Sequence, residues 1–153
     1  MSEISMDDES VPTHKRAALW VFDQLLREGV IVYTPLLNIE GVDAVVRCED
    51  GRFRDLVIRA SENEHYPLWF SVNRVKPRDN LFVLCVAWQV TPVQCWIFPS
   101  TEFVRSAAQK GSSNELDLEA DTPEGGGKLK QTLSMYRNAW RLITDGAYKP
   151  YAR

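Results

Sequence analysis

Residues 41–60 read GVDAVVRCEDGRFRDLVIRA, and this stretch decides the fold. Two apolar runs, at 42–48 and 53–60, flank a short polar turn at 49–52 that has Asp50-Gly51 at its centre. Asp-Gly between two β-branched runs is a strong local signal for a tight β-hairpin. The stretch therefore predicts an antiparallel pair of strands.

Regular elements are predicted on both sides of this hairpin. Upstream, apolar residues recur at helical spacing from Thr13 until Gly29, and a β-branched strand follows at 30–33. Downstream, we predict strands at 68–72, 81–90 and 94–98, then a short helix from 100 to about 108. The strand at 81–90 is too continuously apolar to lie at an edge. This order predicts an α/β sandwich with a mixed sheet of five or six strands flanked by helices.

The chain has 153 residues, which fits one domain. We expect a flexible acidic tail at 1–12, a single domain at 13–146 and a short tail at 147–153. Within the domain, Gly, Ser, Pro and acidic residues at 110–127 predict a long surface loop. An apolar stripe at alternating four- and three-residue spacing predicts a C-terminal helix at 128–145.

Composition excludes several classes of protein. The net charge of -3 argues against a dedicated polybasic nucleic-acid or membrane binder, although a local basic groove stays open. No apolar run approaches the roughly 20 residues that span a bilayer, and the first residues are acidic, so we expect a cytoplasmic protein. The cysteines, Cys48, Cys85 and Cys95, are odd in number and are predicted to be buried thiols.

The candidate site lies on the hairpin, because the sequence has no nucleophile elbow, Walker loop or dinucleotide-binding glycine motif. Asp43 begins an otherwise apolar strand. On the partner strand, Asp55, Val57 and Arg59 share one face, since side chains alternate with a period of two. The turn places Asp43 opposite Ile58 or Arg59, so an ion pair between Asp43 and Arg59 is expected.

The order of these segments resembles the PD-(D/E)xK nuclease superfamily, which has the restriction-endonuclease-like fold. The resemblance covers roughly residues 14–145. After the first helix, the matching segments are GVIV at 29–32, GVDAVV at 41–46, LVIRAS at 56–61, DNLFVLCV at 79–86, IFP at 97–99 and YRNAW at 136–140. It implies a restriction-endonuclease-like sandwich with its active site on the hairpin.

The family motif is incomplete in this chain. In the family, an Asp in the second strand and an acid or Gln in the third bind a divalent ion, usually Mg²⁺, and a Lys positions the nucleophile. Asp43 matches the first ligand, but Val57 replaces the second and Arg59 replaces the Lys. Valine cannot bind a metal. The resemblance therefore implies a degenerate site, with Asp43, Asp55 and Arg59 as its remnant, and we expect no hydrolysis.

Basic residues around the hairpin and before the apolar strand are the predicted nucleic-acid contacts, unless they are merely solvated loop residues. Trp69 is a predicted stacking surface beside them. The predicted contacts are Arg52, Arg54, Arg74, Lys76 and Arg78.

Three functions stay open. The first is a degenerate nuclease-like domain that retains nucleic-acid or phosphate binding. The second is an active Mg²⁺-dependent endonuclease in which Asp43 and Asp55 bind the metal, with Glu40 nearby, and Arg59 takes the lysine role. The third is a non-enzymatic module that forms a homodimer through its apolar strands and terminal helix.

Overall fold

A five-stranded mixed sheet forms the centre of the computed structural model, which describes residues 12–37, 41–61, 68–118 and 133–150. Helix α1 (Thr13–Arg27) packs on one face of this sheet. The sheet has the order β1-β2-β3-β5-β6. Its strands are β1 (Val32–Tyr33), β2 (Ala44–Arg47), β3 (Phe53–Ala60), β5 (Leu81–Ala87) and β6 (Gln94–Pro99).

The hairpin and the buried strand follow the sequence prediction. Strands β2 and β3 are antiparallel, with Ala44 opposite Leu56, and the turn at 49–52 joins them. Strand β5 is buried along its whole length and lies between β3 and β6, so the prediction of an interior strand is confirmed. The pairing of β3 with β5 is parallel, while the other pairs in this sheet are antiparallel. The α/β sandwich predicted from the sequence is therefore present.

A second sheet has the order β4-β8-β7 and covers the opposite face. Its strands are β4 (Trp69–Asn73), β7 (Ala108–Lys110) and β8 (Ser113–Asp117), and the short helix α2 (Ser100–Ser106) precedes β7. The loop predicted at 110–127 thus contains a strand, whereas residues 119–127 lie outside the described residues. The signal that favours the strand is the alternation of Asn114, Leu116 and Leu118, which are buried.

Two apolar cores lie on the two faces of β3. Leu56 and Ile58 pack with α1 residues such as Val21. Val57 points the other way and packs with Phe70 and other residues of the second core. Because side chains alternate between the two faces of β3, this one strand contributes residues to both cores.

The prediction of a C-terminal helix at 128–145 is wrong for most of the residues that the structure describes there. Leu133 and Ser134 are helical, but turns follow, and helix α3 covers only Arg141–Thr144. The intervening chain hydrogen-bonds to the outer edge of β6: Ile97 N–H donates to the Tyr136 carbonyl, and Asn138 N–H donates to the Cys95 carbonyl. These bonds cover an otherwise open sheet edge and replace the helical ones. Residues 128–132 lie outside the described residues.

The end of the domain is fastened to the hairpin, so the tail predicted at 147–153 begins too early. Ala147 is buried and forms a β-bridge with Cys48, and Tyr148 N–H donates to the Arg47 carbonyl. Arg54 donates a hydrogen bond to the Ile143 carbonyl. The tail predicted at 1–12 falls outside the described residues except for Pro12, as do residues 151–153. No helix in the described parts of the chain is long and apolar enough to cross a membrane.

We expect Arg54→Met to lower the free energy of unfolding by about 1.5–3 kcal/mol, because it removes a charged donor and leaves the Ile143 carbonyl unsatisfied. Urea denaturation followed by circular dichroism measures this change. Arg52→Met is the matched control, since Arg52 is exposed and pairs only locally with Asp50. It should change stability by no more than about 0.5 kcal/mol. Equal losses in the two variants would contradict a fastening role for Arg54.

Candidate functional site

Asp43 lies directly before β2 and is held by the strand beside it. Its N–H donates to the Leu56 carbonyl at 2.8 Å. Its Oδ2 accepts hydrogen bonds from the Ile58 N–H at 2.7 Å and from Arg59 Nη1 at 2.7 Å. The ion pair expected between Asp43 and Arg59 is therefore present, with the two side chains 37% and 34% exposed. Such partly exposed pairs neutralise charge more than they stabilise a fold.

Arg59 has two further neighbours on β3 and β5. Its Nη1 also donates to the Ile58 carbonyl at 2.7 Å. Cys85 lies opposite Arg59 on β5. Burial raises the pKa of the Cys85 thiol far above its ordinary value, and the positive charge of Arg59 lowers it by less. Cys85 therefore stays protonated and is no nucleophile, which agrees with the prediction of buried thiols.

The two carboxylates of the predicted remnant do not share a site. Asp55 Oδ2 pairs with Arg78 Nη2 at 2.6 Å, whereas Asp43 pairs with Arg59. Val57 lies between Asp55 and Arg59 on β3, is 2% exposed and belongs to the second core. Among the described residues, no group of three or more His, Cys, Asp or Glu side chains could hold a metal ion. Glu40 lies outside the described residues.

Beside Val57 lies a cleft of about 170 Å³ that we call the basic cleft. Gly41, Val57, Arg74, Lys76 and Arg78 line it together with apolar residues and Asn73 of the β4 segment, and no acidic residue is among its described lining. Arg74 and Lys76 are exposed, and neither has a carboxylate partner in the parts of the chain that the structure describes. The basic cleft therefore carries excess positive charge.

The segment that carries these cations is held at both ends. Arg74 has a positive φ of 45° and donates its N–H to the Ser112 carbonyl at 2.8 Å. At the other end, Arg78 N–H donates to Ser100 Oγ at 2.9 Å, and the same hydroxyl donates to the Arg78 carbonyl at 2.8 Å. Ser100 is fully buried. The backbone from 74 to 78 is thus fixed over the basic cleft.

Not all five predicted nucleic-acid contacts reach this surface. Arg74, Lys76 and Arg78 line the basic cleft, whereas Arg52 and Arg54 do not. Arg52 pairs with Asp50 at the hairpin turn, and Arg54 is bonded to the carbonyl of Ile143. The sequence could not separate the two groups, because only the fold decides that the segment from Arg74 to Arg78 lies beside Val57 while Arg54 contacts Ile143.

A second cleft, of about 460 Å³, lies further along the same two strands, β3 and β4. We call it the aromatic cleft; its lining is His14, Asp43, Arg59, Ala60, Trp69 and Ser71. Trp69 was the stacking surface predicted from the sequence. His14 is an addition that sequence analysis missed, because helical periodicity places it on the exposed side of α1 and gives no sign of which strand lies beside it.

Comparison with known proteins supports the fold. No protein-family model matches this chain, and no curated protein matches it. Among solved structures, the chain is similar to the bacterial homing endonuclease I-Ssp6803I, with a TM-score of 0.51 and 20% sequence identity. The similarity covers 86% of this chain and 88% of that one. At this level of identity the likeness shows a nuclease-like fold and nothing finer.

We expect calorimetric titration of the protein with Mg²⁺ or Mn²⁺ to give only heats of dilution, both for the wild type and for Asp43→Ala. The physical reason is that Val57 offers no ligand atom and that Arg59 already neutralises Asp43. Val57→Asp is the matched control. Because Ala44 pairs with Leu56, residue 57 lies opposite Asp43, and the substitution adds a second carboxylate next to it. Wild-type binding that disappears in Asp43→Ala would instead establish a rebuilt metal site and favour the active endonuclease.

Proposed function

We propose that this chain is a catalytically degenerate nuclease-like domain of the PD-(D/E)xK type, which binds nucleic acid without cleaving it. The basic cleft is the observation that carries the proposal. Its excess cations, Arg74 and Lys76, lie beside Val57, at the position where the family resemblance requires a metal ligand.

The residues present do not fit the Mg²⁺ ion that the family resemblance implies. Magnesium needs several oxygen ligands in near-octahedral geometry, commonly one or two carboxylates together with water. Asp43 is the one carboxylate that lines either cleft among the described residues, and Arg59 already pairs with it. Arginine also differs from lysine in reach and geometry, so Arg59 is no simple replacement for the family lysine. These features support binding without hydrolysis.

Phosphate is the chemical group that matches the basic cleft. Arginine can contact phosphate through two parallel hydrogen bonds, and lysine adds a mobile point charge. The chain as a whole has a net charge of -3, so attraction must come from this local surface. Contacts of this kind position a nucleic-acid backbone and carry no sequence information.

We therefore propose weak, salt-sensitive and sequence-independent binding. A solved structure with a similar fold is a homing endonuclease, which supports nucleic acid as the ligand.

We expect Arg74→Met and Lys76→Met each to weaken oligonucleotide binding by about tenfold near 0.1 M salt, because each removes one phosphate contact. The loss should be equal for unrelated sequences, and the slope of log K against log salt should fall by about 1. Fluorescence anisotropy of a labelled oligonucleotide measures both quantities. The same oligonucleotide should remain uncut after incubation with Mg²⁺.

Two controls make this experiment specific. Arg27→Met removes an exposed arginine that pairs with Asp23 on α1, away from the cleft, and should leave affinity unchanged. Asp55→Asn should tighten binding, because it releases Arg78 from its carboxylate partner. Equal weakening by Arg27→Met and Arg74→Met would show that affinity follows net charge alone, and the proposed cleft would be wrong.

A second candidate function, homodimerisation, is favoured by exposed apolar side chains at the β1 end of the sheet. Leu36 and Leu37 are 99% and 77% exposed. Tyr33 and Phe53 are also exposed, and both line an open apolar depression with Val42 and Val45. Exposed apolar surface such as this depression is typical of interaction sites. The two functions do not conflict, because neither leucine lines the basic cleft.

We expect sedimentation equilibrium to show a dimer that persists at high salt, because apolar contacts are not screened by ions. The double variant Leu36→Glu/Leu37→Glu should be monomeric. The control is Leu26→Glu, which changes an exposed leucine on α1 and should leave the mass unchanged. A wild-type mass equal to that of one chain at all concentrations tested would rule out this second function.

A further inference from the structure

We propose that the aromatic cleft binds an unpaired nucleobase while the basic cleft holds the phosphates that follow along the same strand. This inference rests on the nucleic-acid binding proposed above and names its ligand more closely: a single strand, not an intact duplex. Neither the comparisons nor the family motif assigns a base to this cleft. Its six lining residues point to this ligand.

Half of these six residues carry flat groups on which a base can stack. Trp69 comes from β4, His14 from α1 and Arg59 from β3, so the stacking groups reach the cleft from three separate elements. Unpaired bases are commonly bound by stacking on aromatic rings, imidazoles and guanidinium planes. Trp69 and Arg59 are only partly exposed, so a base that stacks on them would be removed from water.

Hydrogen-bonding groups accompany the stacking surfaces. Asp43 brings a carboxylate, and both hydrogen bonds described for it fall on Oδ2. Ser71 brings an exposed hydroxyl, which can donate or accept. The volume of about 460 Å³ lies within the range of about 300–1,000 Å³ that is usual for small-ligand pockets. The cleft therefore offers both of the interactions by which proteins hold an extruded base.

The distance between the clefts suits a nucleic-acid strand. Trp69 and Ser71 line the aromatic cleft, and Asn73 and Arg74 of the same β segment line the basic cleft. The four steps along β4 from Trp69 to Asn73 span about 13 Å at about 3.3 Å per residue. Both clefts therefore lie within reach of one single strand a few nucleotides long.

Only an unpaired nucleotide can use both clefts at once. A base inside a duplex is already stacked on both faces, and stacking on a protein side chain requires that it leave the stack. A base that is already single-stranded avoids this cost of unstacking. A strand whose base occupies the aromatic cleft and whose backbone continues past Arg74 and Lys76 satisfies both surfaces.

The test compares three labelled DNA ligands of equal length with the wild-type protein: a single strand, the same strand with abasic sites, and the duplex. By fluorescence anisotropy, we expect the base-bearing strand to bind about 5- to 150-fold more tightly than the abasic strand, which is the usual contribution of one stacked base. It should also bind more tightly than the duplex. Tryptophan fluorescence should be quenched by the base-bearing strand only.

Variants of Trp69 assign this preference to the cleft. Trp69→Ala should bind base-bearing and abasic strands equally, whereas Trp69→Phe should keep part of the preference and lose most of the quenching. Trp88→Ala is the matched control, because Trp88 is another half-buried tryptophan but does not line either cleft. It should keep the full preference.

The outcomes separate this inference from the function on which it rests. If the wild type bound base-bearing and abasic strands equally, and still lost affinity in Arg74→Met, the base site would be wrong and phosphate binding would stand. Tighter binding of the duplex than of the single strand would also overturn the base site. If the wild type bound none of the three ligands, the proposed function itself would be wrong.

Discussion

The parallel pairing of β3 with β5 determines where every residue of the site lies. Two parallel neighbours cannot be joined by a tight turn, so the chain must cross over one face of the sheet between Ala60 and Leu81. That crossover contains β4 and the cationic segment from Arg74 to Arg78. It passes beside the face of β3 that carries Val57 and Arg59. Both clefts exist because the crossover and β3 face each other, and the cations reach Val57 for the same reason.

Carboxylates neutralise some of the cationic side chains around these clefts and leave others without a partner among the described residues. Asp43 pairs with Arg59 and Asp55 pairs with Arg78, which in the parts of the chain that the structure describes leaves Arg74 and Lys76 as the uncompensated charges of the basic cleft. Pairs that are a third exposed, such as Asp43 with Arg59, contribute at most about 1 kcal/mol to folding. In the proposed function, an arriving phosphate would rearrange the paired arginines at little cost, while Arg74 and Lys76 would provide the first attraction.

Local signals in the sequence were sufficient for the hairpin and failed where distant contacts decide the structure. Asp50-Gly51 and the alternation after it predicted β3 at 53–60 and brought Asp43 to Arg59, as found. The helix predicted at 128–145 has the right periodicity, but hydrogen bonds to the edge of β6 hold residues 136–138 in another conformation. The polar composition of residues 110–127 likewise predicted a loop where the structure has β8, whose buried Leu116 pairs with Phe70. His14 joined the site only through the packing of α1 on the sheet.

Val57 connects the stability of the fold to the proposed loss of cleavage. Its side chain fills part of the second core, where it is 2% exposed beside residues such as Phe70 and Val83. An acid at this position would place a carboxylate at the boundary between that core and the basic cleft, and a buried charge is costly unless it is paired. A bound metal or a cation such as Lys76 could supply that pairing in a catalytic relative. In the proposed function no metal is needed, and an apolar residue at 57 would stabilise the core and leave the nearby cations to bind phosphate. The proposed loss of cleavage and the proposed phosphate binding would then have the same physical cause.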